Sequence, residues 1–162
     1  MKQANITETD RKVTVYANER ARDTNAPAAA IELPDGRIIT GKTSNLLGAS
    51  AALLLNALKE LAGIAHSIHV ISPEAIEPIQ KLKTAYLGSQ NPRLHTDEVL
   101  IALSISAVSN PDAKAAMKQL SGLKGLQVHS SVMLSQVDLK TLKRLGIQVT
   151  CEPRYETKNL YH

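Results

Sequence analysis

The sequence contains no phenylalanine and no tryptophan, and only four tyrosines. A core built without large rings must be filled by Leu, Ile, Val and Ala. Platforms for single-stranded nucleic acid stack bases on aromatic side chains, so the same shortage argues against that function. Cysteine is almost absent. Cys151 stands alone, which excludes an internal disulfide and suits a cytoplasmic chain. No apolar run is long enough to cross a bilayer, and the opening MKQANITETDRK lacks the apolar stretch of a signal peptide. The excess of positive charge is small, +4, and its cations (Arg20, Arg22, Lys81, Lys83, Lys140, Lys143 and Arg144 among them) are scattered. That is the pattern of a solvated surface rather than of a nucleic-acid face. Neither membrane nor nucleic acid is an expected partner.

What is present is apolar bulk: 43% of 162 residues, enough for one domain, residues 1–162, with a real core. The stretch 28–63 organises it. Residues 46–58 carry no charge and are apolar on every face, so as a helix they must be buried all round. Before them, residues 28–33 and 37–41 read as strands joined by Pro34-Asp35-Gly36, a hairpin turn. Thr43 or Ser44 is the expected cap of the central helix and Gly63 its end.

Around this stretch the pattern predicts a loose lead-in over 1–8 and a helix from Thr9 or Asp10 to about Asp23. A short strand is expected at 69–72 (HVIS). Ser72-Pro73-Glu74 should open a helix to about Tyr86, by cap, proline and acid in the first turn. A second very apolar helix, capped by Thr96, is expected over 97–108, and another from Asn110-Pro111 to Leu120. A strand at 126–129, a helix at 135–145 and a strand at 147–151 form a parallel crossover; residues 152–162 are a polar tail. The expected fold is α/β: a mixed four- or five-stranded sheet with an N-terminal hairpin, parallel C-terminal strands and covering helices.

Three groups carry candidate chemistry. Residues 36–43 satisfy the phosphate-loop expression GxxxxGK[ST]. Their middle residues, Arg-Ile-Ile-Thr, suit a strand, however, and Gly36 is already required by the turn. Lys42, Thr43 and Ser44 could instead present a helix start to an anion. Arg93, His95, Asp97 and Glu98 gather a guanidinium, an imidazole and two carboxylates at a loop-to-helix junction, although Thr96 and the two acids also fit a plain helix start. His129 and Ser130 lie at the carboxyl end of an expected parallel strand, where open α/β sheets bind ligands. Cys151 ends the next strand and reads as packing rather than as a nucleophile. No metal-ligand spacing occurs, so neither a metal nor another cofactor is expected.

The strings NAPAAAIELPDGRIITGKTSNLLGASAALLLNALKELAG, HVISPEAIEPIQKLK, NPRLHTDEVLIALSIS, VHSSVMLSQVD and TCEPRYETKNLYH resemble the bacterial uncharacterised protein family 0371, or domain of unknown function 1846. The resemblance spans nearly the whole chain and implies the C-terminal third of much longer proteins. Their N-terminal part carries a glycine-rich, phosphate-loop-like segment with no counterpart here. The resemblance brings no catalytic residue with it. The expected element order is also similar to that of cytidine deaminase-like proteins, but Gly48-Ala49-Ser50-Ala51-Ala52 stands where their zinc-binding motif would lie.

Two functions follow as expectations. The first is a structural or interaction module, packing on the missing N-terminal portion or on a copy of itself through apolar helix surface that cannot all be buried. The second is an enzyme or binding domain for a small anionic metabolite or nucleotide.

Overall fold

The computed structural model describes residues 12–153. The lead-in 1–8, the expected cap at Thr9 or Asp10 and the tail beyond Pro153 lie outside the described residues. In chain order the elements are α1 (Lys12–Thr24), β1 (Ala28–Glu32), β2 (Ile38–Lys42), α2 (Ala49–Leu61), α3 (Pro73–Lys81), a π-helical turn (Leu82–Tyr86), α4 (Thr96–Ser106), α5 (Pro111–Met117), a 3₁₀ turn (Leu120–Leu123), β3 (Gln127–Ser130), α6 (Gln136–Arg144) and β4 (Gln148–Cys151).

The sheet is mixed and has four strands in the order β2-β1-β3-β4. The hairpin pairs β1 with β2 antiparallel, with Ile31 opposite Ile39. Gly36 sits in its turn at φ +89°, a conformation that glycine adopts without a steric penalty. β1 pairs antiparallel with β3, and β3 pairs parallel with β4. The expected crossover through α6 is therefore present.

Side chains alternate across a strand, and this sheet uses both faces. On one, Ala30 packs with Val13 and Ala17 of α1. On the other, Ala29, Ile31 and Val128 join the larger core with Leu53, Leu54, Ala57 and Leu58 of α2. Each such leucine, fully buried, contributes about 2 kcal/mol from the apolar surface removed from water. α2 lies unusually close to the sheet: a Cβ added at Gly41 would stand 2.4 Å from the backbone nitrogen of Leu53. Gly41 is thus a contact glycine inside a strand. Residues 36–43 form a turn and a strand and do not wrap as a phosphate loop.

Three expectations need correction. Residues 69–72 are not a strand; Val70 and Ile71 are buried as expected, but they have no neighbouring strand to pair with. The order that suggested a cytidine deaminase-like topology needed that strand and is not reproduced. The central helix begins at Ala49, not after Thr43 or Ser44. The Ser44 hydroxyl instead accepts from the Leu46 and Leu47 N–H groups at 3.3 and 3.2 Å, holding a turn that lets Leu47 bridge to Leu94. Finally, α4 is capped at His95, and Thr96 is its first residue.

Candidate functional site

Three helices begin at the carboxyl end of β3. The Leu47–Leu94 bridge, with Gly48 N–H donating to Leu94 O at 3.2 Å and Leu94 N–H to Leu46 O at 3.0 Å, sets the starts of α2 and α4 side by side. The start of α6 follows β3 after a short loop. Between them lies a cavity of about 540 Å³ whose wall includes Thr43, Ser50, Arg93, His95, Ser130 and Asp138. A smaller one of about 340 Å³ adjoins it and is lined by Lys42, Ser44 and, shared with the first, Thr43 and Arg93. This is where open α/β sheets place their ligand clefts.

Each helix start handles its exposed N–H groups differently. At α4, Glu98 reaches back to accept from His95 N–H at 2.8 Å. Asp138 accepts from Thr96 N–H at 3.0 Å and from the Thr96 hydroxyl at 2.8 Å. At α6, the Ser135 hydroxyl accepts from Asp138 N–H at 3.2 Å. At α2, the cap residue is Gly48, no side chain caps it, and the first turn contains no acid. The first N–H groups of a helix have no acceptor within it, so the positive end of α2 opens on the cavity uncompensated.

Two hydroxyls add to this. Among the described residues, three buried side-chain oxygens lack a hydrogen-bond partner: those of Thr14, Thr43 and Ser50. Thr43 and Ser50, 6% and 3% exposed, both line the cavity. A buried polar group without a partner costs about 1–3 kcal/mol, so these two hydroxyls store an unmet demand at the α2 start.

The charged groups are held by one network. Lys83, nearly buried within the π turn, donates to Arg93 O at 2.5 Å and to Glu98 Oε1 at 2.8 Å. It ties the 93–95 segment to the α4 start. The Arg93 guanidinium donates to Ser44 O. His95 Nδ1 lies 3.5 Å from Asp138 Oδ2. Hydrogen bonding to Asp138 holds the His95 imidazole above its usual range, against burial, which would lower it. Burial alone would raise the Asp138 carboxyl, but the hydrogen bonds from His95 and Thr96 outweigh that and hold it below the usual carboxylate range. The pair is thus biased towards imidazolium and carboxylate.

The structure brings Lys42, Thr43, Ser44, Arg93, His95 and Ser130 to this end of the sheet. It does not bring His129. That residue is fully buried on the α1 face, with its ring between Thr150 Oγ1 at 2.7 Å and Glu152 Oε2 at 2.8 Å. Ser130, one residue on, points to the opposite face, so the two cannot share a site. Asp97 and Glu98 serve the α4 start: Asp97 accepts from Glu98 N–H at 2.8 Å, while Glu98 serves His95 N–H and Lys83. Ser50 and Asp138 were missed by the sequence reading. A lone serine in the first turn of an otherwise apolar helix was the available signal for the former. Nothing local marks the latter, whose partner lies 42 residues away.

Fold and site together define an open mixed-sheet α/β domain with a cleft at the carboxyl end of its parallel pair. Residues 9–161 match the family described as "Domain of unknown function DUF1846, C-terminal", and the chain belongs to that family. It is 58% identical over 161 residues to a UPF0371 protein of Corynebacterium efficiens, covering 99% of this chain and 32% of the relative. A UPF0371 protein of Streptococcus uberis is 50% identical over 161 residues, covering 99% and 33%. The chain therefore spans about a third of the length of these relatives, and corresponds to the C-terminal domain of a larger protein.

Proposed function

We propose that the chain is a single α/β interaction domain, working in the bacterial cytoplasm, that docks on the N-terminal portion of the longer family proteins through the outer face of α4. One observation carries this reading. Ile101, Ile105 and Val108 are 57%, 65% and 87% exposed, and their spacing of four and three residues aligns them along one side of the helix and its end. Leu82, Tyr86 and Leu87 of the π-turn region are exposed as well. In relatives three times as long, two-thirds of the protein is available to cover such a ridge.

The test is to produce the remaining portion of a corynebacterial relative separately, mix it with this chain and weigh the product by light scattering. A one-to-one complex is expected, and Ile101→Glu with Ile105→Glu should abolish it, since both positions are exposed and tolerate charge without unfolding. Failure of the parent chain to bind would overturn the reading. Self-association of the parent, lost in the same variant, would give the face to a second copy instead.

The cavity favours a second reading, binding of a small anionic metabolite. Arg93, His95, Ser130 and Thr43, with Lys42 and Ser44 from the adjoining cavity, would line its approach. The uncapped α2 start is the feature that supports it.

A further inference from the structure

We infer that the first turn of α2 seats the phosphoryl group of a small phosphomonoester, with Thr43 and Ser50 as hydroxyl donors and the organic part lying against Val132, Met133 and Leu134. The inference rests on the small-anion reading above and names the seat and the ligand class within it.

Three independent features meet there. Of the three helix starts at the cavity, only that of α2 has neither a capping side chain nor an acid in its first turn. Its 13 residues make a full-length helix, so several N–H groups and an aligned dipole face one point. Next to it lie the two buried hydroxyls that have no acceptor in the described residues. An oxyanion accepts from N–H and O–H donors alike, which is the kind of partner these hydroxyls lack. Finally, the cavity of about 540 Å³ far exceeds a bare oxyanion, and Leu94, Val132, Met133 and Leu134 give the rest of its wall an apolar character. A tetrahedral anion carrying a small organic group fits that division.

The surrounding charge is compatible. Asp138 is the acid on the cavity wall, and its oxygens are already engaged by Thr96 and His95. His95, held 3.5 Å from Asp138, lines the same cavity. Lys42 is exposed beside the adjoining cavity, where it raises the local concentration of anions.

The experiment is an amide-resolved NMR titration of the 162-residue chain with sulfate and with phenyl phosphate, at constant ionic strength. Sulfate supplies the tetrahedral charge without titrating near neutrality; phenyl phosphate adds an apolar group. The expected result is saturable shifts centred on the Ala49, Ser50 and Ala51 amides, with phenyl phosphate the tighter of the two. Ser50→Ala and Thr43→Val should each weaken both ligands by about tenfold, the effect of a hydrogen bond to a charged group. Neither variant should lower the unfolding midpoint of the free protein, because each removes an unsatisfied hydroxyl. Saturable binding centred on Lys42 and Arg93, indifferent to Ser50→Ala, would overturn the seat while leaving the small-anion reading standing. No saturable binding of either ligand would overturn both.

Discussion

His95 and Asp138 join the starts of α4 and α6, and their ionisation links that joint to pH. The His95 imidazole is held above its ordinary value of 6.5, first by Asp138 and secondarily by the charge of Glu98, while burial and the Lys83 ammonium oppose the shift. Its stabilising contribution is fully present below pH 6.5 and is lost as pH rises through the raised folded value. The Asp138 carboxyl is held below its ordinary 3.8. Its contribution is complete above that pH and fades as pH falls through the lowered value. The pair therefore stabilises most between these two limits. His95→Gln should lower the unfolding midpoint most near pH 5 to 6, and its penalty should shrink progressively above pH 6.5. A penalty that stays constant from pH 5 to pH 9 would remove the ion pair from the account. Other residues at this scale hide their role from sequence. His129 looks exposed to chemistry at the end of a strand, yet strand alternation turns it to the α1 face, where Glu152 and Thr150 occupy both ring nitrogens. Period-two reading of Gln127-Val128-His129-Ser130 would have separated it from Ser130.

At the scale of elements, α2 is the piece most legible in sequence and also the one misplaced at its start. Its uncharged run predicted burial on all sides; Leu53, Leu54, Ala57 and Leu58 are buried, but Ala52, Leu55 and Asn56 on the other side are only partly so. Thr43 and Ser44 were better caps by residue type than Gly48, but tertiary structure needed residues 44–48 elsewhere. The turn at residues 44–47 sets Leu47 against Leu94, and a local propensity cannot anticipate a partner 47 positions along the chain. The same limit explains residues 69–72, whose β-branched pattern is real and whose burial is real, but which find no strand to pair with. The hairpin and the C-terminal crossover were legible because turn, strand and helix there are all specified within a few residues. Gly41 makes the closest approach between elements. With Cβ building only 2.4 Å from Leu53 N, Gly41→Ala must push α2 off the sheet. We expect it to cost about 3 kcal/mol or more in chemical denaturation, the upper range for overpacking, and to disturb the α2 start and any ligand held there. A loss under about 1 kcal/mol would show that α2 can shift freely and that its position does not define the cavity.

Across the whole molecule, two surfaces remain unexplained by folding alone: the cleft at the carboxyl end of the sheet and the apolar ridge of α4. The cleft borders the start of α4 and the ridge lies farther along it, and the two make separable claims. The absence of Phe and Trp led to a core of small aliphatic side chains, and α4, apolar nearly all round, exceeds what that core can absorb; its excess is the ridge. The exposed ridge was readable as an imbalance between apolar supply and available interior. Which surface would cover the ridge was not, since this chain spans only about a third of the length of its relatives. Among the described residues no helix is long and apolar enough to cross a membrane. Hydrogen exchange on α4 tests this most directly, by comparing the isolated chain with a full-length corynebacterial relative. The account predicts that amides of the α4 segment, including those of Ile101 and Ile105, exchange markedly more slowly in the full-length protein, with β1 and β3 unchanged. Equal exchange of α4 in both would mean that the ridge stays open in the longer protein, and would contradict docking through this face.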